Sequence, residues 1–321
     1  MRATTSEAVI NFDKAVKDYG PKEIGPVTFS VGSGEIVGFL GPNGSGKSTT
    51  IRMLLGLIRP NSGSVSLMQR DPLREHVRAL EHVGYSPELP NLQSFLTPQE
   101  LLRLTSKELG LSSEETERQL PFLLEEVGLI QYQDYKIAKL SKGMVQRLSV
   151  AQALVGSPKV LILDEPMIGI DPAGVVRFRS MFRDFVKQGG TIVMSSHILS
   201  EVESLCTSLV VIHSGKILFR GGIEEFIRER LGSRSILVEV ADSSKSNEGS
   251  PLVGRISALG GVKRVTQTPE GLLVEVASDS DPRAEISRLV VEAGAMLVGL
   301  GYSRSELDEA YINAIRGTPA E

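Results

Sequence analysis

Ile36-Val-Gly-Phe-Leu-Gly-Pro-Asn-Gly-Ser-Gly-Lys-Ser48 joins three patterns in thirteen residues. An apolar run ends at Leu40, a loop built on Gly41, Gly44 and Gly46 follows, and from Ser48 the pattern reads as helix to Leu57. Residues without Cβ let a loop close around phosphate oxygens with its backbone N–H groups turned inward. The helix that follows begins at the anion, so its dipole favours the same charge. Strand before, helix after and Lys-Ser at the junction separate this phosphate loop from a plain glycine-rich turn. Gly41, Pro42, Asn43, Gly44, Ser45, Gly46, Lys47, Ser48 and Thr49 are therefore expected to contact a nucleoside triphosphate, with Lys47 as a point charge on the β- and γ-phosphates and the Ser48 hydroxyl on Mg²⁺.

Downstream, Val160-Leu-Ile-Leu163 is an apolar strand that delivers Asp164 and Glu165 at its carboxyl end, where ligands of α/β folds bind. Asp164 is expected to hold Mg²⁺ through water, and Glu165 to orient and deprotonate the attacking water. Between these motifs, Leu140-Ser-Lys-Gly-Met144 opens a helix reaching Ala153. Ser141 is its N-cap and Gly143 permits close approach, so the helix terminus is an anion site in want of a phosphate.

The remaining pattern supplies the frame. Up to about Phe219 strands and helices alternate, as in an α/β domain with a largely parallel sheet. Arg59-Pro-Asn-Ser-Gly63 is a turn leading into a strand from Ser64 to Leu67. From Thr97 to about Tyr135 the strand period disappears; Thr97-Pro98-Gln99-Glu100 predicts a capping box, and Ser112-Ser-Glu-Glu115 a second helix start whose acidic run is a solvated face. After Gly221-Gly222 come a strand (236–240), a helix (252–259), a hairpin (262–276) with Pro269-Glu270-Gly271 at its tip, and a helix (282–293). That order suggests a small α+β domain, with 243–250 as a polar surface loop.

Net charge is −4, which gives no reason to expect nucleic acid as the main partner. The longest apolar runs are strand-sized, far short of the roughly 20 residues of a membrane helix. The opening residues lack the apolar core of a signal peptide, and the single cysteine, Cys206, excludes an intrachain disulfide or thiolate metal site. Together these point to the cytoplasm.

The serine-glycine signature ahead of the carboxylate strand, after a complete phosphate loop, resembles the ABC-type ATPases, and the resemblance runs along the whole chain. It implies a phosphate-loop α/β core, 1–222, with a helical subdomain inserted at about 95–150, and a small accessory α+β domain, 223–321. It implies ATP and Mg²⁺ as cofactors and hydrolysis of ATP as the activity. Tyr19, in Asp18-Tyr19-Gly20, matches the aromatic that stacks on adenine, and His197 the switch histidine on the γ-phosphate. Ser141 and Gly143 would meet the γ-phosphate held by a second ATPase subunit, a homodimer being expected, and Asp171 would help organise the opposite site. His76, His82 and His213 read as structural.

Two positions depart from the commonest family form. Lys142 and Met144 stand where Gly and Gln are usual, and Glu88 closes Val83-Gly-Tyr-Ser-Pro-Glu88 where Gln is usual. Glu88 remains a candidate hard-oxygen ligand for Mg²⁺. Both variants resemble ABC-2-type exporters, as does the ending Ser305 to Ile312. This implies a bacterial or archaeal export ATPase, peripheral on the cytoplasmic face of the inner membrane, driving a separate membrane-spanning permease. A soluble ATPase acting on DNA or ribosomes is the rival, but no coiled coil fits between Glu88 and Leu140 and no second phosphate loop exists. A regulatory module without turnover is opposed by Glu165 and His197.

Overall fold

The computed structural model describes residues 8–231, 233–241, 251–277, 280–303 and 306–316. Contacts divide the chain into two compact units, Met1–Gly221 and Gly222–Glu321.

The first unit begins with β1 (Ile10–Asp18), β2 (Glu23–Val31) and β3 (Ile36–Leu40), then α1 (Lys47–Leu54), β4 (Ser62–Leu67), α2 (His76–Leu80) and β5 (Val83–Ser86). Three helices follow, α3 (Pro98–Glu108), α4 (Ser113–Glu126) and α5 (Lys142–Ala153). Alternation then resumes with β6 (Val160–Asp164), α6 (Pro172–Lys187), β7 (Thr191–Ser196), α7 (Leu199–Leu205), β8 (Ser208–His213) and β9 (Lys216–Gly222).

Six of these strands form one sheet in the order β5-β6-β7-β3-β8-β9. The pairs from β5 to β8 are parallel. β3, β6 and β7 are buried at every residue, as expected of strands covered on both faces. Because they run the same way, the phosphate loop after β3, Asp164 ending β6 and His197 after β7 reach one edge. In the register Asp164 lies opposite Ser195, and Leu40 opposite Ser196.

A largely parallel sheet does not account for the whole unit. β2, β1 and β4 form a separate antiparallel sheet, to which the strand after the Arg59–Gly63 turn belongs. Its inner face, with Phe12 stacked on Phe29 at 4.8 Å, shares one core cluster with α1 and the parallel strands. α1 also ends earlier than expected, at Leu54. Gly56 stops it in a left-handed turn (φ 66°), where a Cβ would collide with the Pro72 carbonyl.

Both expected capping boxes form. The Thr97 hydroxyl accepts from Glu100 N–H at 3.3 Å while Thr97 N–H donates to Glu100 Oε2 at 2.7 Å. Ser112 and Glu115 repeat the exchange at 3.2 and 3.0 Å. The two helices bury one stripe, including Leu101, Leu102, Leu120 and Leu124, and leave their acidic faces in solvent.

The second unit contains α8 (Ile223–Arg230), β10 (Ser233–Val240), α9 (Pro251–Ser257), β11 (Val262–Thr268), β12 (Gly271–Ala277), α10 (Arg283–Glu292), β13 (Leu297–Tyr302) and α11 (Glu306–Arg316). An antiparallel sheet, β11-β12-β10-β13, packs Ile236, Val238, Leu272 and Val274 against Ile256, Ile286 and Val290. The β-α-β-β-α order is present, with α8, β13 and α11 added. The 243–250 loop and Ser305 lie outside the described residues, as do the first seven residues. Among the described residues no helix is long and apolar enough to cross a membrane.

Candidate active site

The edge where β3, β5 and β6 end borders a cavity of about 280 Å³. Pro42, Asn43, Gly44, Gly46, Lys47, Ser48 and Thr49 line one side of it. Gly44 and Gly46 take φ of 78° and 114°, a left-handed path that glycine follows without strain. Gly41 and Ser45 lie beneath the loop instead: a Cβ on Gly41 would meet the Ile212 carbonyl and the Ser45 hydroxyl. The first glycine thus lets the loop settle on β8, while the others shape the concave side.

Lys47 is buried, and its ammonium donates to the Gly41 carbonyl at 2.6 Å and more weakly to the Pro42 carbonyl at 3.4 Å. It also lies 3.7 Å from Glu165 Oε1. Asp164, Glu165 and Glu88 also line the cavity, so it brings Lys47 of the loop together with carboxylates from the sheet edge. His197 joins through Glu165, with Nδ1 at 2.9 Å from Oε2.

Glu165 has φ 51°, an unusual conformation for a residue with a side chain. Its N–H donates to the Ser195 hydroxyl at 2.9 Å, and that hydroxyl donates to Asp164 Oδ1 at 2.5 Å. One residue on, the Ser196 hydroxyl donates to Glu201 Oε2 at 2.8 Å and accepts from Ile198 N–H at 3.0 Å, fixing the turn that carries His197. Burial pushes the Glu201 carboxyl up, against the Ser196 bond, which lowers it. The same cause, with the Asp164 charge second, raises the Tyr85 phenol.

Tyr19 lines the cavity from the β1–β2 turn; its ring is half-exposed and lies 5.6 Å from the Lys17 ammonium. Lys22, from the same turn, also lines the cavity and donates to the Gly44 carbonyl. Neither Lys22 nor Ser195 is among the residues singled out from sequence. A signal for Ser195 existed, because Ser195-Ser196 ends a strand whose preceding residues, Ile192, Val193 and Met194, are all apolar. Lys22, in an exposed polar turn, had none.

Ser141, Gly143 and Asp171 do not line this cavity. Ser141 caps α5, its hydroxyl accepting from Met144 N–H at 3.2 Å, and Asp171 caps α6, accepting from Gly174 N–H at 2.9 Å. The two caps are neighbours, since a Cβ on Gly143 would collide with the Gly169 carbonyl. Signature and Asp171 loop therefore form a second surface. One link from α5 to the sheet edge is a 2.8 Å hydroxyl bond between Ser149 and Ser86 at the end of β5.

The oxygens around the cavity fit Mg²⁺. Ser48, Asp164 and Glu88 supply hard oxygen donors. An ion that keeps several waters and shares phosphate oxygens asks for this kind of sparse set.

Residues 24–168 match the family described as ABC transporter. The chain is 37% identical over 257 residues to a Nod factor export ATP-binding protein I of Paraburkholderia xenovorans, covering 79% of this chain and 84% of the relative. It is 32% identical over 311 residues to the bacitracin transport ATP-binding protein BcrA of Bacillus licheniformis, covering 96% and 98%. A solved structure described as an ATP-binding subunit of an ABC transporter superposes with a TM-score of 0.65 at 33% identity, over 69% of this chain and 92% of that one. With the phosphate loop, the carboxylate strand and the capped signature helix in place, the chain belongs to the ABC transporter family as an ATP-binding subunit, and it is an ATPase.

Proposed function

We propose that this chain powers a bacterial or archaeal ABC-2-type exporter from the cytoplasmic face of the inner membrane, acting on a separate membrane-spanning permease. The observation that carries the reading is the division of site residues into two surfaces. Lys47, Asp164, Glu165 and His197 meet at one sheet edge, while Ser141, Gly143 and Asp171 gather elsewhere. A nucleotide in the first surface is completed by the second surface of another copy, so two chains close head to tail around two ATP molecules.

Within each site Tyr19 stacks on adenine, and the loop N–H groups with the start of α1 hold the phosphates. Lys47 exchanges the Gly41 and Pro42 carbonyls for phosphate oxygens. Ser48 and Glu88, with Asp164 through water, would hold Mg²⁺, and the ion would neutralise charge on the phosphates. Glu165 takes the proton of the attacking water, and His197, paired with it, contacts the γ-phosphate. Hydrolysis releases the closed pair and passes the motion to the permease. The permease contact is the segment after Glu88 beside the helical insert, where Leu89 is 81% and Phe95 71% exposed. The accessory unit, 223–321, regulates or strengthens dimerisation and takes no part in the chemistry. Nucleic acid is not a partner.

The test is to purify the full chain from its host membranes with its bound integral membrane protein and reconstitute the pair in liposomes. ATPase activity that rises with the permease and falls on Leu89→Asp supports the reading. Recovery of the chain only with ribosomes or DNA overturns it.

A further inference from the structure

We infer that Ser195 is a positioning residue for hydrolysis, holding both carboxylate-bearing residues of the β6 edge through a single hydroxyl. The inference rests on the roles proposed above for Asp164 and Glu165.

Ser195 lies opposite Asp164 in the parallel register of β6 and β7 and is completely buried. The polarity of its two bonds is fixed. A backbone N–H can only donate, so the Ser195 oxygen accepts from Glu165 N–H, and its one proton goes to Asp164 Oδ1. That bond ties down one oxygen of Asp164, a residue that lines the cavity. The bond from Glu165 anchors the residue whose φ of 51° is least favoured without restraint. The direction in which the Glu165 carboxylate leaves the strand, toward Lys47 at 3.7 Å and His197 at 2.9 Å, follows from that backbone conformation.

Position explains why the hydroxyl serves these two residues and not the protein at large. Ser196, its neighbour on the other face of β7, is equally buried but bonds Glu201 and the following turn. Among the described residues the Ser195 hydroxyl bonds only Asp164, at the end of β6, and Glu165 after it. Removing its oxygen leaves Glu165 N–H buried and unpaired, and frees both the Asp164 carboxylate and the strained turn to relax. The contacts of the loop, Lys47 and Tyr19 with the nucleotide do not pass through Ser195, so affinity is measured without Mg²⁺, the ion that Asp164 would hold.

The test compares Ser195→Ala, Ser195→Thr and Ser195→Val in the full chain, with Glu165→Gln alongside. Thr restores the hydroxyl and Val matches its shape without one. Single-turnover hydrolysis and equilibrium binding of a fluorescent ATP analogue are both measured. The expected result is a fall of roughly tenfold to hundredfold in rate for Ala and Val, with nucleotide affinity within about threefold of native, and Thr close to native. If the β-branched variants do not fold, Ala decides alone, because it adds no volume. A native rate in Ala overturns the inference, as does equal loss in Thr and Val, or loss of rate and affinity together. Fast hydrolysis in Glu165→Gln would instead remove the assignment of the base, whatever the Ser195 variants do.

Discussion

Replacing Glu165 by Gln changes one charge between a buried lysine and a histidine. The side chain is 6% exposed, its Oε2 meets His197 at 2.9 Å, and its Oε1 lies 3.7 Å from the Lys47 ammonium. Gln has the same shape and keeps a hydrogen-bonding group toward His197. Lys47 keeps its 2.6 Å bond to the Gly41 carbonyl, so the phosphate loop is not left with an unpaired buried cation. The lost property is acceptance of a proton from water. General-base catalysis contributes on the order of 10²–10⁴-fold, equivalent to ~3–5 kcal/mol on the barrier. ATP affinity should hold or rise, because a negative charge is removed from beside the γ-phosphate. Rapid-quench single-turnover hydrolysis, with nucleotide affinity measured in parallel, checks both halves. A rate within a few-fold of native would show that Glu165 is not the base.

Three further outcomes are expected. Thr97→Ala removes one half of a capping box from α3 and should cost about 1 kcal/mol in urea denaturation, with ATP affinity unchanged. Burial pushes the Cys206 thiol up to about 12, so at neutral pH a thiol reagent should label it only as fast as the protein opens; rapid labelling of the folded chain would contradict its packing. Because burial raises the Glu201 carboxyl in the folded state, that state holds the proton to higher pH than the unfolded chain does. Its contribution to stability is complete below the unfolded value and lost as pH rises through the folded one. Glu201→Gln should flatten that part of the stability profile between acidic and neutral pH, and an unchanged slope would count against the assignment.

Local chemistry explains which features were legible in the sequence. The phosphate loop, both capping boxes, the Ser141 cap and the buried strand ending at Asp164 depend on residues a few positions apart, so short motifs carry them. β1 and β2 pair as neighbours in sequence, but irregularly. β1 shifts register twice against β2 and takes φ 49° at Lys14, which breaks the period-2 pattern of Ile10 to Asp18. β13 reads Leu-Val-Gly-Leu-Gly-Tyr, whose two glycines interrupt alternation in the same way. Ser195 carried a signal in the polar pair that ends an apolar strand, but its partner was fixed only by the register that sets it opposite Asp164. The family resemblance supplied what no local pattern could, namely the roles of Tyr19, His197 and Asp171, and the expectation that signature and phosphate loop act on different copies.

That expectation is the central claim, and mixing two disabled chains tests it most directly. Lys47→Ala disables the phosphate loop and Ser141→Arg the signature. In a head-to-tail pair of one chain of each kind, one site collects both defects and the other neither. With random pairing and independent sites, an equal mixture should recover about a quarter of native ATPase activity, while each variant alone stays near background. Background activity in a mixture proven to contain heterodimers would contradict a site shared between two copies.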